Sequence, residues 1–171
     1  MRIPARFRAG IRCHNRFYER LRRDPSAYGE SLFGLPRETL KKASLTLAFE
    51  VNLGVRRPDC VCVVRLGAGP HLCFLIELKT CRFPRNLNTP SKRGQRHEGL
   101  CQLRDSARLL AAAVPPGGEE ITLVPLLVFV AQRSMRVLDV TRLPCTQTRG
   151  NASAMAATVR GLAEYVAGPR R

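Results

Sequence analysis

Three acidic residues lie in or beside apolar, strand-like segments, where burying a carboxylate is costly. Asp59 begins "DCVCVV", Glu77 and Lys79 lie in "FLIELKT", and Glu50 follows "SLTLAF". Neighbouring carboxylates repel one another, and a divalent cation offsets that repulsion, with oxygen ligands favouring Mg²⁺ or Mn²⁺. A lysine beside such a cation can orient a water molecule and stabilise negative charge in a transition state. The set therefore predicts a metal-assisted hydrolytic site.

The charge of the chain indicates which substrate such a site would act on. The 171 residues include 29 Lys and Arg against 13 Asp and Glu, which gives a net charge of +16. Such an excess favours a polyanionic partner, and nucleic acid is the simplest one. Acids, lysine and charge together predict phosphodiester hydrolysis. The alternative is a basic surface that interacts only with solvent.

The strands must bring the acids together, and hairpin geometry predicts how they do so. A turn centred on Ala68 pairs Asp59 with Glu77, and the preceding turn pairs Glu50 with Asp59. The three acids then form a row across adjacent strands, with opposed Cβ atoms about 5 Å apart. Lys79 follows Glu77 by two residues and points to the same face.

An ion-pair cluster is the alternative interpretation of these residues. Glu77 could pair with Lys79, and Asp59 with Arg56 or Arg57, at the end of a strand. For any single acid this simpler account is preferable. For the whole set we favour the metal site, because clustered carboxylates with perturbed pKa values mark functional sites.

Hydrophobic periodicity predicts one domain over residues 1–171, in the order α-β-β-β-α-β-α. A basic amphipathic helix covers 7–23, three strands cover 44–53, 58–66 and 71–79, a basic loop covers 80–96, a helix covers 97–114, a strand covers 121–131, and a helix ends the segment 148–167. In the first strand, alternation places Phe49 and Val51 on one face and Glu50 on the other. Three meandering strands followed by a helical crossover predict a mixed sheet flanked by helices.

Cysteine and histidine usage argues against a zinc site. None of the seven cysteines forms a C-x-x-C pair, and His14, His71 and His97 are scattered along the chain. Cysteines within strands act as small hydrophobic residues, so reduced thiols in a cytosolic or nuclear compartment fit best. The longest apolar run, "ITLVPLLVFVA", is too short to span a bilayer, so no membrane association is expected.

The spacing of the acids resembles a known signature. "PD" and "ELK", with 17 residues between Asp59 and Glu77, are similar to the motif of the PD-(D/E)XK nuclease superfamily. The core of that superfamily has the order αβββαβ. The longer segments "GVRRPDCVCV", "IELKTCRF", "SKRGQR", "LVFVAQRSMRV" and "VTRLP" resemble the conserved nuclear protein family of alpha-, beta- and gammaherpesviruses. That resemblance runs over nearly the whole chain.

The resemblance implies a role for each matching residue. Asp59 and Glu77 match the metal-binding acids, Lys79 matches the catalytic lysine, and the backbone carbonyl of Leu78 matches a further metal ligand. The implied cofactor is Mg²⁺ or Mn²⁺. Glu50 looks like an additional acid, although many members of the superfamily place that acid on the first helix.

Residues after the motif receive roles in the same way. Gln102 resembles the glutamine or lysine on the helix that follows the motif, and an ordinary boundary glutamine is the alternative. Lys92, Arg93 and Arg96 follow the "ELK" strand, and we expect them to hold the phosphates of nucleic acid. A loop that exposes charge for solubility is the alternative for these three.

The resemblance also implies a biological setting. It suggests a viral endonuclease-like protein of the host nucleus and nucleolus, carried in the virion, which disrupts nucleolar proteins and arrests the cell cycle at the G2/M boundary. The expected partners are DNA or RNA and host nucleolar proteins. The alternative is a catalytically silent binding module on a nuclease-like fold. The complete set of acids and lysine favours the enzyme.

Overall fold

The structure is a computed structural model that describes residues 5–165. It contains four α-helices, namely α1 (Ala5–Arg23), α2 (Arg37–Lys42), α3 (Pro90–Ala112) and α4 (Ala152–Gly161). Its seven strands are β1 (Ser44–Val51), β2 (Cys60–Arg65), β3 (His71–Cys81), β4 (Glu119–Ala131), β5 (Val137–Arg142), β6 (Thr146–Gly150) and β7 (Ala163–Tyr165). Short helical turns cover Pro25–Tyr28, Gly29–Phe33 and Pro84–Asn88.

The strands form one mixed sheet in the order β5-β4-β3-β2-β1-β7, and β6 also pairs with β4. Strands β1, β2 and β3 form an antiparallel meander, and β3 then pairs in parallel with β4. Helix α3 makes the crossover that a parallel pair requires. The predicted mixed sheet flanked by helices is confirmed, with β5, β6 and β7 added to the predicted elements.

Each face of the sheet is covered by a separate hydrophobic cluster. On the first face, α1 and the segment after it pack against β1 to β4 through residues such as Phe17, Leu21 and Phe74. On the second face, α3 and α4 pack through residues such as Leu103 and Met155. Burial on both faces explains why β2 and β3 read as continuous apolar runs. The candidate residues Asp59, Glu77 and Lys79 lie at the end of the sheet where β2 begins and β3 ends.

Buried thiols line the central strands, as the sequence predicts. All seven cysteines are free, and Cys60, Cys62 and Cys73 are fully buried within β2 and β3. Burial raises the pKa of Cys62 to about 12. These side chains therefore act as small hydrophobic residues.

A left-handed residue at the end of β1 corrects the predicted alternation. Glu50 has a left-handed backbone with φ of 51°, which is uncommon for a residue other than glycine. Phe49 packs against the first face, whereas Val51 packs against the second, contrary to the prediction that both share a face. The left-handed residue rotates the chain and turns the Glu50 side chain toward α1, where Tyr18 contacts it.

Helix α3 begins seven residues before the predicted start at residue 97, at Pro90. Thr89 is its N-cap, with a side chain that accepts a hydrogen bond from the backbone N–H of Lys92, and proline at the first helical position is pre-organised for a helix. The segment predicted as a basic loop is therefore partly helical. Three residues assigned to that loop lie in the first two turns of α3, namely Lys92, Arg93 and Arg96.

The C-terminal segment is more varied than the predicted single helix. Residues Thr146–Gly150 form β6, and α4 begins only after Asn151, whose side chain accepts a hydrogen bond from the N–H of Ala154. Pro125 in β4 is tolerated because β6 pairs with β4 up to Leu123 and β5 pairs from Leu126 onward. Among residues 5–165, no helix is long and apolar enough to cross a membrane.

Candidate active site and metal centre

The pairing registers predicted for the three acids are present in the sheet. Cys60 pairs with Ile76, and Phe49 pairs with Cys60, so continuing each ladder by one residue brings Asp59 opposite Glu77 and Glu50 opposite Asp59. The Glu50 N–H donates to the Asp59 carbonyl at 3.0 Å. All three acids consequently lie at one end of the sheet. They do not form the predicted row on one face, because the Glu50 side chain turns toward Tyr18 of α1 while Glu77 bonds to Lys79 beside α3.

Asp59 is held at the start of β2 by the backbone of β3. Its Oδ2 accepts a hydrogen bond from the Leu78 N–H at 2.6 Å, and Asp59 is 8% exposed. The N–H and C=O of one strand residue point to the same edge of the strand, so the Leu78 carbonyl also lies on the Asp59 side. The structure thus places the predicted carbonyl ligand beside the predicted acid.

Glu77, Lys79 and Gln102 form a hydrogen-bonded chain on the second face. Lys79 Nζ donates to Glu77 Oε1 at 2.7 Å and to Gln102 Oε1 at 3.3 Å. Gly99 of α3 leaves space for this arrangement, because a Cβ atom there would lie 3.2 Å from Lys79 Cε and 2.7 Å from Leu127 Cδ1. The structure brings the Gln102 side chain within hydrogen-bonding distance of Lys79.

Helix α1 contributes two side chains that the sequence interpretation missed. Tyr18 OH donates to Glu50 Oε1 at 2.7 Å and lies 3.3 Å from Asp59 Oδ1. His14, one turn earlier, has its Nδ1 3.3 Å from the same Asp59 oxygen. Their i, i+4 spacing on an amphipathic helix was a usable signal, because it places both side chains on one face.

The charge of the buried Asp59 carboxylate perturbs the neighbouring acids Glu77 and Glu50. In the described part of the chain, Asp59 and Glu77 are the only acids that are buried. Burial, followed by the charge of Asp59, raises the pKa of Glu77 to about 7, although Lys79 opposes the shift. Burial also raises the pKa of Glu50, against the hydrogen bond from Tyr18. The site therefore holds negative charge that a cation would relieve.

His14 responds to the same charges. Burial alone would lower the pKa of its imidazole, but the hydrogen bond with Asp59 and the charges of Asp59, Glu50 and Glu77 outweigh burial and raise it. One nitrogen of His14 and one carboxylate oxygen each from Glu50 and Asp59 lie within 4.8 Å of one another. This group has the composition and compactness of a metal site.

A cavity of about 610 Å³ opens beside these residues, between α1, α3 and the end of β3. Its walls include His14, Leu78 and Lys79, together with Lys92 and Gln95 of α3. The cavity is large enough for a nucleotide-sized group, and it places such a group against both the lysine and the histidine.

The three predicted phosphate-binding residues differ in their surroundings. Lys92 lines the cavity, and its Nζ donates to the Thr80 carbonyl at 2.5 Å. Arg93 is exposed. Arg96 donates to Asp139 Oδ2 at 2.8 Å and lies over the Phe129 ring, so it links α3 to β4 and β5. A phosphate contact by Arg96 would have to compete with Asp139.

Comparison with known proteins identifies the family. Residues 1–168 match the family described as "Herpes virus proteins UL24 and UL76". The chain belongs to this herpesvirus family. The resemblance stated from the sequence motifs is thereby confirmed as far as the family is concerned.

Individual relatives agree with this assignment. The chain is 55% identical to the Protein UL24 homolog of equine herpesvirus 1 (strain Ab4p), covering 94% of this chain and 65% of that relative. It is 42% identical to the homolog of varicella-zoster virus (strain Oka vaccine), covering 96% of this chain and 70% of the relative. It is 40% identical to Protein UL24 of human herpesvirus 1 (strain 17), covering 92% of this chain and 64% of that relative. The chain thus spans about two thirds of the length of these relatives. No solved structure matches it.

Proposed function

We propose that this UL24-family protein is a metal-dependent endonuclease with a PD-(D/E)XK-type core, acting on DNA or RNA. The observation that carries the proposal is the convergence of Glu50, Asp59, Glu77 and Lys79 at one end of the sheet, beside an open cavity. An ion-pair cluster explains the Lys79–Glu77 contact, but it does not explain why Asp59 is buried next to two further acids.

The donor set fits Mg²⁺ or Mn²⁺. Asp59 and Glu77 offer carboxylate oxygens, and the Leu78 carbonyl lies at the same edge. These are hard ligands, which Mg²⁺ and Mn²⁺ prefer. When bound, such a cation polarises a phosphoryl oxygen and lowers the pKa of a coordinated water.

Lys79 would contact the phosphate, and Gln102 and Tyr18 would position the groups around it. Lys79 has three N–H donors, of which Glu77 and Gln102 accept two, so a third can reach a phosphate oxygen in the cavity. Gln102 holds the ammonium group in position from α3. Tyr18 holds the Glu50 carboxylate at the edge of the site. Each contact reduces the reorganisation needed when charge develops on the phosphoryl group.

The positive charge of the chain would hold the substrate. With 29 basic residues against 13 acidic ones, binding should weaken as salt concentration rises, because cationic side chains release counterions from the phosphate backbone. Lys92 and Arg93 at the start of α3 are the residues best placed to contact phosphates near the cavity.

We further infer that the protein acts in the host nucleus and nucleolus, with host nucleolar proteins as partners, that it is carried in the virion, and that it contributes to arrest at the G2/M boundary. Family membership and the net charge of +16 support this inference, since an RNA-rich compartment offers many polyanionic partners. Imaging of the tagged protein in cells, with the cleavage variants below, would test whether localisation depends on catalysis.

A cleavage assay tests the enzymatic proposal. Purified protein is incubated with Mg²⁺ or Mn²⁺ and with linear, supercoiled and branched DNA or RNA. Lys79→Met and Asp59→Asn should each lower cleavage by about a hundredfold or more, the scale of losing one transition-state stabiliser. Lys41→Met is the matched control, because Lys41 is an exposed lysine of α2 that pairs with Glu38.

The outcomes separate the two candidate functions. Lys79→Met should retain nucleic-acid affinity, since one charge among 29 basic residues is removed. If the wild type binds nucleic acid but cleaves none of the substrates with either metal, the protein is a binding module on a nuclease-like fold. If cleavage persists undiminished in both Lys79→Met and Asp59→Asn, its source is a contaminating nuclease.

A further inference from the structure

An imidazole lies among the carboxylates of the proposed metal centre. Among residues 5–165, one group of three potential ligands is compact enough to hold an ion, and it consists of His14, Glu50 and Asp59. The nitrogen and the two oxygens lie within 4.8 Å of one another. Hairpin spacing predicts the approach of Glu50 to Asp59 but not that of His14, because His14 comes from α1, which is distant in sequence.

The distances fit an octahedral ion after small movements of side chains. Metal–ligand bonds of about 2.1 Å place adjacent ligand atoms of an octahedron about 3.0 Å apart and opposite ones about 4.2 Å apart. The His14 Nδ1 to Asp59 Oδ1 distance of 3.3 Å is close to the adjacent separation. Since all three atoms lie within 4.8 Å, a shift of a few tenths of an ångström brings them into range.

The His14 side chain faces the cavity, which is where a metal ligand next to the substrate would lie. It is one of the residues that line the 610 Å³ cavity, and a quarter of its side chain is exposed. Glu77 lies outside the compact group, and its Oε1 accepts the Lys79 hydrogen bond. The imidazole therefore lies between the cavity and the carboxylates.

We propose that His14 is a ligand of the metal ion and that the resulting mixed nitrogen and oxygen site selects Mn²⁺ over Mg²⁺. This inference rests on the proposed metal-dependent function. Mg²⁺ favours oxygen ligands and retains water, whereas imidazole suits first-row transition ions. Mn²⁺ accepts both donor types, because it also binds carboxylates well.

Mn²⁺ binding to the full chain tests the proposal without any cleavage measurement. Mn²⁺ affinity is measured by electron paramagnetic resonance titration and Mg²⁺ affinity by competition. The bound Mn²⁺ is then examined by electron spin echo envelope modulation, which detects a coordinated nitrogen. The variants are His14→Gln, His14→Glu and Asp59→Asn, with His97→Gln as the control because His97 is exposed on α3.

The wild type should bind Mn²⁺ more tightly than Mg²⁺ and show nitrogen modulation, as should His97→Gln. His14→Gln should lose the modulation and about tenfold or more of the Mn²⁺ affinity, since even outer-sphere partners contribute 10–100-fold. The loss of Mg²⁺ affinity should be smaller. His14→Glu restores an oxygen ligand, so it should bind both ions with nearly equal affinity.

Two different failures can be distinguished. If the wild type binds Mn²⁺ without nitrogen modulation, or if His14→Gln binds it as the wild type does while Asp59→Asn loses it, the assignment of His14 is wrong and the metal site remains. If the wild type binds neither ion, or if Asp59→Asn binds both as the wild type does, the proposed metal-dependent function fails together with this inference.

Discussion

Replacing Glu77 with glutamine should make the metal-free protein more stable at neutral pH. Glu77 is 8% exposed, and burial together with the nearby charge of Asp59 raises its pKa from 4.5 to about 7. The folded protein therefore binds the Glu77 proton more tightly than the unfolded chain does. Glutamine is nearly isosteric with glutamate and can still accept the Lys79 hydrogen bond, but it carries no charge to bury.

The magnitude follows from linkage between protonation and folding. Because the folded pKa is higher than the unfolded one, the stabilising contribution of Glu77 is fully present below pH 4.5 and is lost as the pH rises through about 7. One pKa unit corresponds to about 1.4 kcal/mol, so ionising Glu77 lowers the free energy of unfolding by about 3 kcal/mol. Glu77→Gln removes this loss.

Urea denaturation in the presence of EDTA measures the effect. The free energy of unfolding is determined from about pH 4 to about pH 8 for the wild type, Glu77→Gln and the control Glu98→Gln. Glu98 is an exposed acid at the rim of the same cavity, so its removal causes the same change in net charge without removing a buried carboxylate. The advantage of Glu77→Gln should grow with pH to about 3 kcal/mol.

An equal difference in unfolding free energy between Glu77→Gln and the wild type at both ends of the pH range would show that folding does not raise the pKa of Glu77. An equal pH-dependent gain in Glu98→Gln would show that the effect comes from net charge alone. A pH-dependent gain is expected because ionising a buried carboxylate beside Asp59 is costly in the absence of a bound cation.

Three further perturbations probe the groups around the acids. Tyr18→Phe removes the hydrogen-bond donor to Glu50. In urea denaturation with EDTA it should lower the free energy of unfolding by about 2 kcal/mol, the contribution of a hydrogen bond to a charged group, and an unchanged midpoint would contradict that role. Replacing a helical glycine with alanine usually raises the free energy of unfolding by about 1 kcal/mol. Gly99→Ala should not show this gain and should lower cleavage, because its Cβ would crowd Lys79, and a stabilised, fully active variant would contradict this. Thiol labelling of the native protein, followed by peptide mass spectrometry, should modify exposed Cys145 before any cysteine in β2 or β3. Early labelling of the strand cysteines would show that the sheet opens.

Local geometry explains why much of the site could be predicted from the sequence. The meander of β1, β2 and β3 is joined by short turns, so each turn fixes a constant sum of paired residue numbers and hence the contacts of Asp59. The continuous apolar runs and the helical crossover predicted the mixed sheet. Gln102 was identified from its resemblance to the glutamine or lysine on the helix after the motif, and its neighbour Leu103 is buried against the sheet.

Capping and backbone strain account for the local errors. The start of α3 was placed too late, although Thr89 and Pro90 are a recognisable N-terminal signal. The left-handed backbone of Glu50 had no such signal, since nothing in "AFEVN" marks a left-handed conformation and the residue is not a glycine. That conformation persists because the surrounding sheet holds it in place, and it is what turns Glu50 toward α1.

The chain by itself determined the registers of the meander and the basic character, because these depend on periodicity, turn length and composition. Only tertiary packing decided that α1 covers the first face, so that Tyr18 meets Glu50 and His14 meets Asp59. The same packing pairs Arg96 with Asp139 across 43 residues. Such contacts depend on how separate elements dock, and docking is determined by the shapes of two buried clusters formed by many residues at once.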